Sequence, residues 1–145
     1  EGNQISREIE LNVTAPLRLM NIIVTVYKDK PLRIVNVSSG AAKKAYQGWA
    51  VYCSSKAALA MASQVLAAEM ESAASDVRVI NYSPGPIDTP MQIELRKKKL
   101  EDFPQVGRFI KLFDEGGLIS PKRAAADLIT YIDSPDLPYY CEITP

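Results

Sequence analysis

The sequence contains no histidine and only two cysteines, Cys53 and Cys141, which stand far apart in the chain. Zinc and most other transition-metal sites in proteins are built from these two residue types, usually with two ligands close together in the sequence. No Cys-x-x-Cys pair is present. We therefore predict no metal site, and we expect both thiols to be reduced.

The chain also lacks net charge, because 17 lysines and arginines balance 17 aspartates and glutamates. A protein without net charge does not attract polyanions over long distances. We therefore predict no nucleic-acid partner. The lysine run 97–99 lies on an amphipathic stretch, and we interpret it as the solvated face of a helix rather than as a basic patch.

Neither a signal-peptide pattern nor an apolar run near the roughly 18 residues of a membrane span is apparent. This predicts a cytoplasmic protein without a membrane partner. The 145 residues fit one domain, residues 1–145. Because the sequence begins with Glu1 rather than methionine, we expect it to come from a longer polypeptide.

Helical and strand patterns alternate along the chain. Apolar residues recur every three or four positions from Ser6 to Tyr27, which predicts a long helix. The β-branched runs Leu32–Val37 and Val77–Tyr82 predict strands that are buried on both faces. Between them, Val51–Ser72 is rich in alanine, leucine and methionine and predicts a second long helix. With a last strand at Tyr139–Ile143, this order favours parallel strands joined by right-handed crossovers.

Two hydroxyl–proline pairs, Thr89–Pro90 and Ser120–Pro121, predict helix starts. A serine or threonine caps the first turn through its side chain, and proline is tolerated at the first helical position. The segment Phe103–Gly117 between these pairs contains glycines, charges and scattered aromatic residues. We predict that this segment is irregular.

Small and polar residues follow both central strands. Ser38, Ser39 and Gly40 come after the first strand, and Ser-Pro-Gly-Pro at 83–86 comes after the second. Ligands of open parallel sheets bind beyond the carboxyl ends of the strands, so these residues are candidates for a binding site. Turns require the same residue types, and that alternative stays open at this point.

Tyr52 and Lys56 lie one helical turn apart near the start of the second long helix. An ammonium group beside a phenol stabilises the phenolate, which makes a tyrosine a better acid–base group near neutral pH. A packed tyrosine followed by a solvated lysine has the same spacing. The spacing alone therefore does not distinguish an acid–base pair from a packed tyrosine and a solvated lysine, and the neighbouring segments must decide.

Four segments, in order and spacing, resemble the short-chain dehydrogenase/reductase family. They are Asn12-Val-Thr, Ile34-Val-Asn-Val-Ser-Ser39, Tyr52-Cys-Ser-Ser-Lys56 and Asn81-Tyr-Ser-Pro-Gly-Pro-Ile-Asp-Thr89. The resemblance implies an α/β fold: the C-terminal portion of a Rossmann-type doubly wound parallel sheet, with about three parallel strands and flanking helices. The family's N-terminal nucleotide-binding half, with its glycine-rich turn, has no counterpart in the sequence.

The resemblance implies a carbonyl reductase that uses NADPH, with NADH as an alternative. Tyr52 is expected to protonate the carbonyl oxygen, and Ser39 to hold that oxygen by a hydrogen bond. Lys56 is expected to support Tyr52 and to bind the nicotinamide ribose. The carbonyl of Asn12 is expected to position a water molecule, unless Asn12 only faces solvent.

The resemblance also assigns the ligand contacts. The implied cofactor-binding residues are Tyr52, Lys56, Pro84, Gly85, Ile87, Asp88, Thr89, Met91 and Gln92. The implied substrate-binding residues are Ser39, Gly40, Tyr52, Gly85 and Glu142. Trp49 and Cys53 flank the tyrosine and either line the pocket or pack in the core.

Within the family, the segments 47–56 and 81–92 resemble those of the sepiapterin reductases. This implies a pterin as the small-molecule carbonyl substrate, with the Glu142 carboxylate as its anchor. A solvated Glu142 is the alternative. Related carbonyl reductases share parts of both segments, so a different carbonyl substrate also remains open.

A non-catalytic alternative is a truncated remnant that acts as an interaction or dimerisation module. In the family the two long helices usually form a homodimer, and we expect the same contact here. Since the sequence lacks half of the family's cofactor site, we expect the isolated chain to be weakly active or inactive.

Overall fold

The computed structural model describes residues 2–27 and 29–144, which form three strands and six α-helices. The helices are α1 (Gly2–Ile9), α2 (Ala15–Tyr27), α3 (Ala50–Ser72), α4 (Pro90–Arg96), α5 (Val106–Asp114) and α6 (Pro121–Ile132). The strands are β1 (Leu32–Val37), β2 (Val77–Tyr82) and β3 (Tyr140–Ile143). One turn of π-helix, Glu10–Thr14, joins α1 to α2, and a short 3-10 helix, Gly40–Ala42, follows β1.

The three strands form one parallel sheet in the order β1-β2-β3. Leu32 lies opposite Val77, and Val79 lies opposite Tyr140. The predicted α/β class, the parallel pairing and the three strands are confirmed. The carboxyl ends of β1 and β2 meet at one edge of the sheet, where Ser38 continues the ladder by donating its N–H to the carbonyl of Tyr82 at 2.7 Å.

Strand β2 is the centre of the core. One cluster on the sheet joins Val77 to Met20 of α2 and Leu59 of α3, and a second joins Ile80 to Tyr82 and Ile143. Partly buried residues of α6 pack on the second cluster. The burial of β2 on both faces was therefore predicted correctly.

Strand β1 does not share that burial, so the prediction for it was wrong. Ile34 and Asn36 are buried beneath the helices, whereas Val37 is 53% exposed and Val35 only partly covered. The reason is the position of α6, which packs on the residues of β2 and β3.

The segment predicted to be irregular contains helix α5. Val106 and Phe109 form a buried cluster with Phe103. The helical spacing is therefore present, but it spans little more than two turns before Gly116 and Gly117. Of the two predicted caps, Ser120 accepts a hydrogen bond from the N–H of Arg123 at 3.2 Å. Thr89 precedes a helix as predicted, but its side chain caps no described backbone group.

The continuous helical segment Gly2–Tyr27 is long and apolar enough, by length and composition, to cross a membrane. This corrects the expectation that the chain holds no such run. Length and composition are the only grounds, and Met20 of this segment packs into the hydrophobic core. The cytoplasmic location stays a prediction.

Candidate active site

Tyr52 and Lys56 occupy the first two turns of α3, close to the end of β1. The Lys56 ammonium donates a hydrogen bond to the backbone carbonyl of Val37 at 2.9 Å. Its Nζ also lies 5.8 Å from the centre of the Tyr52 ring. Burial lowers the pKa of Lys56 below its ordinary value of 10.5. The helix and the strand together therefore hold a partly desolvated cation beside the phenol.

Ser39 stands at the carboxyl end of β1 and begins the short 3-10 helix. Its backbone is extended, with φ −157°, and its Oγ accepts a hydrogen bond from the N–H of Ala41 at 3.2 Å. Ser39, Gly40, Tyr52 and Lys56 line one cleft of about 350 Å³. Residues from two separate chain segments thus reach the same space, as the parallel topology predicts.

The segment after β2 forms another wall of this cleft. Gly85 has a left-handed backbone, with φ +78°, and this conformation favours glycine. Lack of space is not the reason for the glycine, because a Cβ atom here would have no neighbouring atom within 4 Å. Of the implied cofactor-binding residues, Asp88 is absent from the lining. Those that line the cleft are Tyr52, Lys56, Pro84, Gly85, Ile87, Thr89, Met91 and Gln92.

Two buried side-chain atoms in the cleft lining, Ser38 Oγ and Gln92 Oε1, have no hydrogen-bond partner within the described chain. Buried polar atoms are normally paired, so these two oxygen atoms require a partner that the described chain does not supply. Together with the Lys56 ammonium, they fit the amide and the hydroxyls of a nicotinamide riboside.

Asn12 lies in the π-helical turn and reaches α3 rather than solvent. Its Nδ2 donates a hydrogen bond to Ser55 Oγ at 3.3 Å, and Ser55 Oγ donates to the carbonyl of Tyr52 at 2.9 Å. Ser55 is fully buried. Asn12 borders a second cleft, of about 790 Å³, which shares Tyr52 and Lys56 with the first. The sequence analysis missed Ser55, whose position one turn after Tyr52 was the available signal.

Glu142 lies away from these residues. It pairs with Asn81 in the sheet register, its Oε2 is 2.6 Å from Lys43 Nζ, and it does not line either cleft. The hydrogen bond to Glu142 raises the pKa of Lys43. The anchor role of Glu142 stays a prediction. In this structure its carboxylate forms an ion pair with the Lys43 ammonium group.

An aromatic wall continues from Tyr52. It includes Trp49, one of the two candidate lining residues, and further rings that the sequence did not predict. Trp49 meets the Tyr52 ring edge to face at 5.4 Å and stacks on Phe103 at 5.3 Å with nearly parallel planes. Tyr46 and Phe109 complete the wall, and both line the cleft. Cys53 points elsewhere, with its Sγ 3.7 Å from the carbonyl of Lys44.

Comparison with known proteins finds benzil reductases and sepiapterin reductases among the relatives of this chain. The benzil reductase ((S)-benzoin forming) of Bacillus subtilis (strain 168) is 38% identical over 134 residues, which are 90% of this chain and 55% of that protein. The sepiapterin reductase of Bos taurus is 37% identical over 138 residues, 92% of this chain and 49% of that protein. The chain thus spans about half the length of these curated relatives.

Comparison of the fold with solved structures agrees with the sequence relatives. A crystal structure of a short-chain dehydrogenase/reductase from Saccharomyces cerevisiae superposes with a TM-score of 0.80 at 26% identity, covering 98% of this chain and 57% of that one. The family model described as short chain dehydrogenase matches residues 1–100, which include Asn12, Ser39, Tyr52 and Lys56. The chain belongs to the short-chain dehydrogenase family.

Proposed function

We propose that this chain is the catalytic part of an NADPH-dependent carbonyl reductase in which Tyr52 is the general acid. The proposal rests on one arrangement: Ser39, Tyr52 and Lys56 line the same cleft, and Lys56 is fixed to the end of β1 by its hydrogen bond to Val37. The relatives are named as reductases of ketones, and NADPH rather than NADH is part of the proposal.

Reduced nicotinamide, when bound, supplies a hydride to the carbonyl carbon. Tyr52 donates its hydroxyl proton to the carbonyl oxygen as negative charge develops there. Ser39 donates a hydrogen bond to the same oxygen, which strengthens as the charge grows. Lys56 places a positive charge near the phenol, which stabilises the tyrosinate that is left behind.

The nicotinamide end of the cofactor would be held by the segments after β1 and β2 together with Lys56 of α3. Ser38 and Gln92 offer unpaired buried oxygen atoms, and Lys56 offers its ammonium group. Asp88 would contribute through its backbone, because its N–H donates to the carbonyl of Ile119 at 2.9 Å and so fixes the course of the segment.

For the substrate, a pterin is one candidate, in line with the sepiapterin reductases among the relatives. A different aromatic carbonyl compound is the second candidate, and the pairing of Glu142 with Lys43 favours it. A carboxylate that already binds a lysine outside the cleft is a poor anchor for the pterin ring. The aromatic wall fits either substrate.

We also propose a homodimer through the two long helical segments. Several apolar residues of α3 and of the N-terminal helices are exposed, among them Met61 at 58% and Val65 at 50%. Apolar surface of this extent favours a protein contact. A non-catalytic interaction module would use the same surface. A measurement of enzymatic activity therefore distinguishes the reductase from the interaction module.

Replacing Tyr52 with phenylalanine tests the function directly. In the full gene product that carries this sequence, Tyr52→Phe removes the proton donor, and we expect NADPH oxidation with benzil or sepiapterin to fall at least about 100-fold. Tyr131→Phe is the matched control, since Tyr131 is an exposed tyrosine of α6, and it should keep full activity.

Full activity in Tyr52→Phe would refute the mechanism. Absence of ketone-dependent NADPH oxidation in the unaltered protein would favour the interaction module. A fluorescence titration of NADPH on the 145-residue chain, beside the full gene product, measures how much of the cofactor site this chain supplies.

A further inference from the structure

Arg108 is a cation in the cleft that the mechanism does not use. It lies in the first turn of α5, lines the cleft together with Tyr46 and Trp49, and is exposed. Its guanidinium carbon is 5.3 Å from the centre of the Tyr46 ring and 5.8 Å from that of Phe109. Contact with two aromatic faces orients the guanidinium group without neutralising its charge.

Among the described residues, no carboxylate lies within ion-pair distance of the Arg108 guanidinium group. Within residues 2–27 and 29–144, the arginines that form ion pairs are Arg18, Arg33, Arg78 and Arg123, and Arg108 is not among them. The described lining of the cleft contains no aspartate or glutamate. Lys44 adds a second positive charge, since its Nζ lies 5.8 Å from the centre of the Tyr46 ring.

The cleft therefore has two walls of different chemistry. The segments after β1 and β2 provide small residues and two unpaired polar atoms, Ser38 Oγ and Gln92 Oε1. Tyr46, Trp49 and Phe109 provide ring surfaces, with Arg108 above two of them. Tyr52 lines the same cleft and contacts Trp49. A flat substrate with its carbonyl at Tyr52 would lie along the rings toward Arg108.

We propose that Tyr46, Trp49, Phe109 and Arg108 form a subsite for an aromatic ketone that carries a carboxylate. The substrate ring packs against the aromatic wall, and its carboxylate pairs with the Arg108 guanidinium group, whose planar geometry suits a carboxylate. This inference rests on the proposed carbonyl reductase function. The carbonyl carbon gains the hydride of the reduced nicotinamide, the oxygen gains the Tyr52 proton, and the products are a secondary alcohol and the oxidised nicotinamide.

Trp49 makes the subsite measurable without turnover, because it is the single tryptophan of the chain. We would titrate the chain with 4-acetylbenzoate and with its methyl ester, which has the same ring and ketone but no charge, and follow Trp49 fluorescence. The acid should bind more tightly than the ester. Arg108→Met should weaken binding of the acid about tenfold and leave the ester within twofold.

Lys111→Met is the matched control, since Lys111 is a cation of the same helix and forms an exposed ion pair with Glu115 at 3.7 Å. It should leave both titrations unchanged. Equal binding of acid and ester by the unaltered chain would overturn the proposal. An equal loss for both ligands in Arg108→Met would also overturn it, because Arg108 would then act only through packing.

Turnover in the full gene product separates this inference from the proposed function. A charge preference in binding with no ketone reduction would refute the reductase. Reduction of benzil or sepiapterin with no preference for the acid would refute the subsite alone. If Arg108→Met raised KM for NADPH and not for the ketone, the guanidinium group would serve the cofactor and the subsite would be wrong.

Discussion

Helix α3 contains two fully buried serines, Ser55 and Ser63, and each accepts a hydrogen bond from an asparagine of another element. Ser55 accepts from Asn12 at 3.3 Å, and Ser63 accepts from Asn36 at 2.8 Å. Each hydroxyl also donates to a carbonyl of α3 itself. The two pairs have the same chemistry at positions two helical turns apart.

Their surroundings differ. Asn36 is buried in β1 and also contacts the sulfur of Met20 at 3.1 Å, so its pair fixes the sheet to the helices. Asn12 is only partly buried and borders a cleft, and Ser55 is bonded to the carbonyl of Tyr52. One hydrogen-bond pattern thus holds the core in one place and the turn that carries Tyr52 in another.

The largest effect on stability should come from the core pair. Asn36→Ala leaves the fully buried Ser63 without its donor, and we expect the free energy of unfolding to fall by about 2–3 kcal/mol in a urea titration. Replacing both partners, as Asn36→Leu with Ser63→Ala, removes the unpaired groups and should recover part of this loss. An unchanged urea midpoint in Asn36→Ala would refute the role of this pair.

The pair at the cleft should affect rate more than stability. Ser55→Ala removes the group that connects Asn12 to the turn of Tyr52, so we expect kcat for ketone reduction to fall severalfold and KM to change little. The loss of stability should be about 1 kcal/mol. Ser63→Ala is the control and should keep kcat. If both variants lowered kcat equally, the proposed division between the two pairs would be wrong.

The smallest effect concerns the charge of Lys56, which lies one helical turn after Tyr52. Because burial lowers its pKa below 10.5, the unfolded chain binds this proton more tightly than the folded chain. Stability should therefore rise with pH between the lowered pKa and 10.5. Lys56→Met removes this dependence. Urea titrations across this pH range should therefore show that the free energy of unfolding of the unaltered protein rises relative to that of the variant. Parallel pH profiles would contradict the assignment.

The regular elements were predictable because local patterns decide them. The ends of β1 and β2 were predicted to the residue, since Pro31 and Asp76 precede the two β-branched runs and serines follow them. Helix α3 begins one residue before its predicted start. The convergence of Ser39, Tyr52 and Lys56 followed from parallel topology and from the family resemblance.

The contacts between distant segments were not predictable. The stacking of Trp49 on Phe103 and the position of Arg108 depend on how α5 returns to the start of α3, which no local period encodes. Helix α5 itself is short and owes its order to the cluster around Phe103. The pairing of Glu142 with Lys43 depends on sheet register, since it joins the last strand to the loop after the first.

The position of Asn12 depends on the π-helical turn at Glu10–Thr14, which contains one more residue than a turn of α-helix. In this turn the N–H of Ala15 bonds to the carbonyl of Glu10, five residues back instead of four. Deletion of one residue here would restore an ordinary helix at little cost to the helix itself. It would also rotate everything on one side of the deletion by about 100°. Loss of a single codon here would therefore turn either Asn12 away from Ser55 or Met20 away from the core.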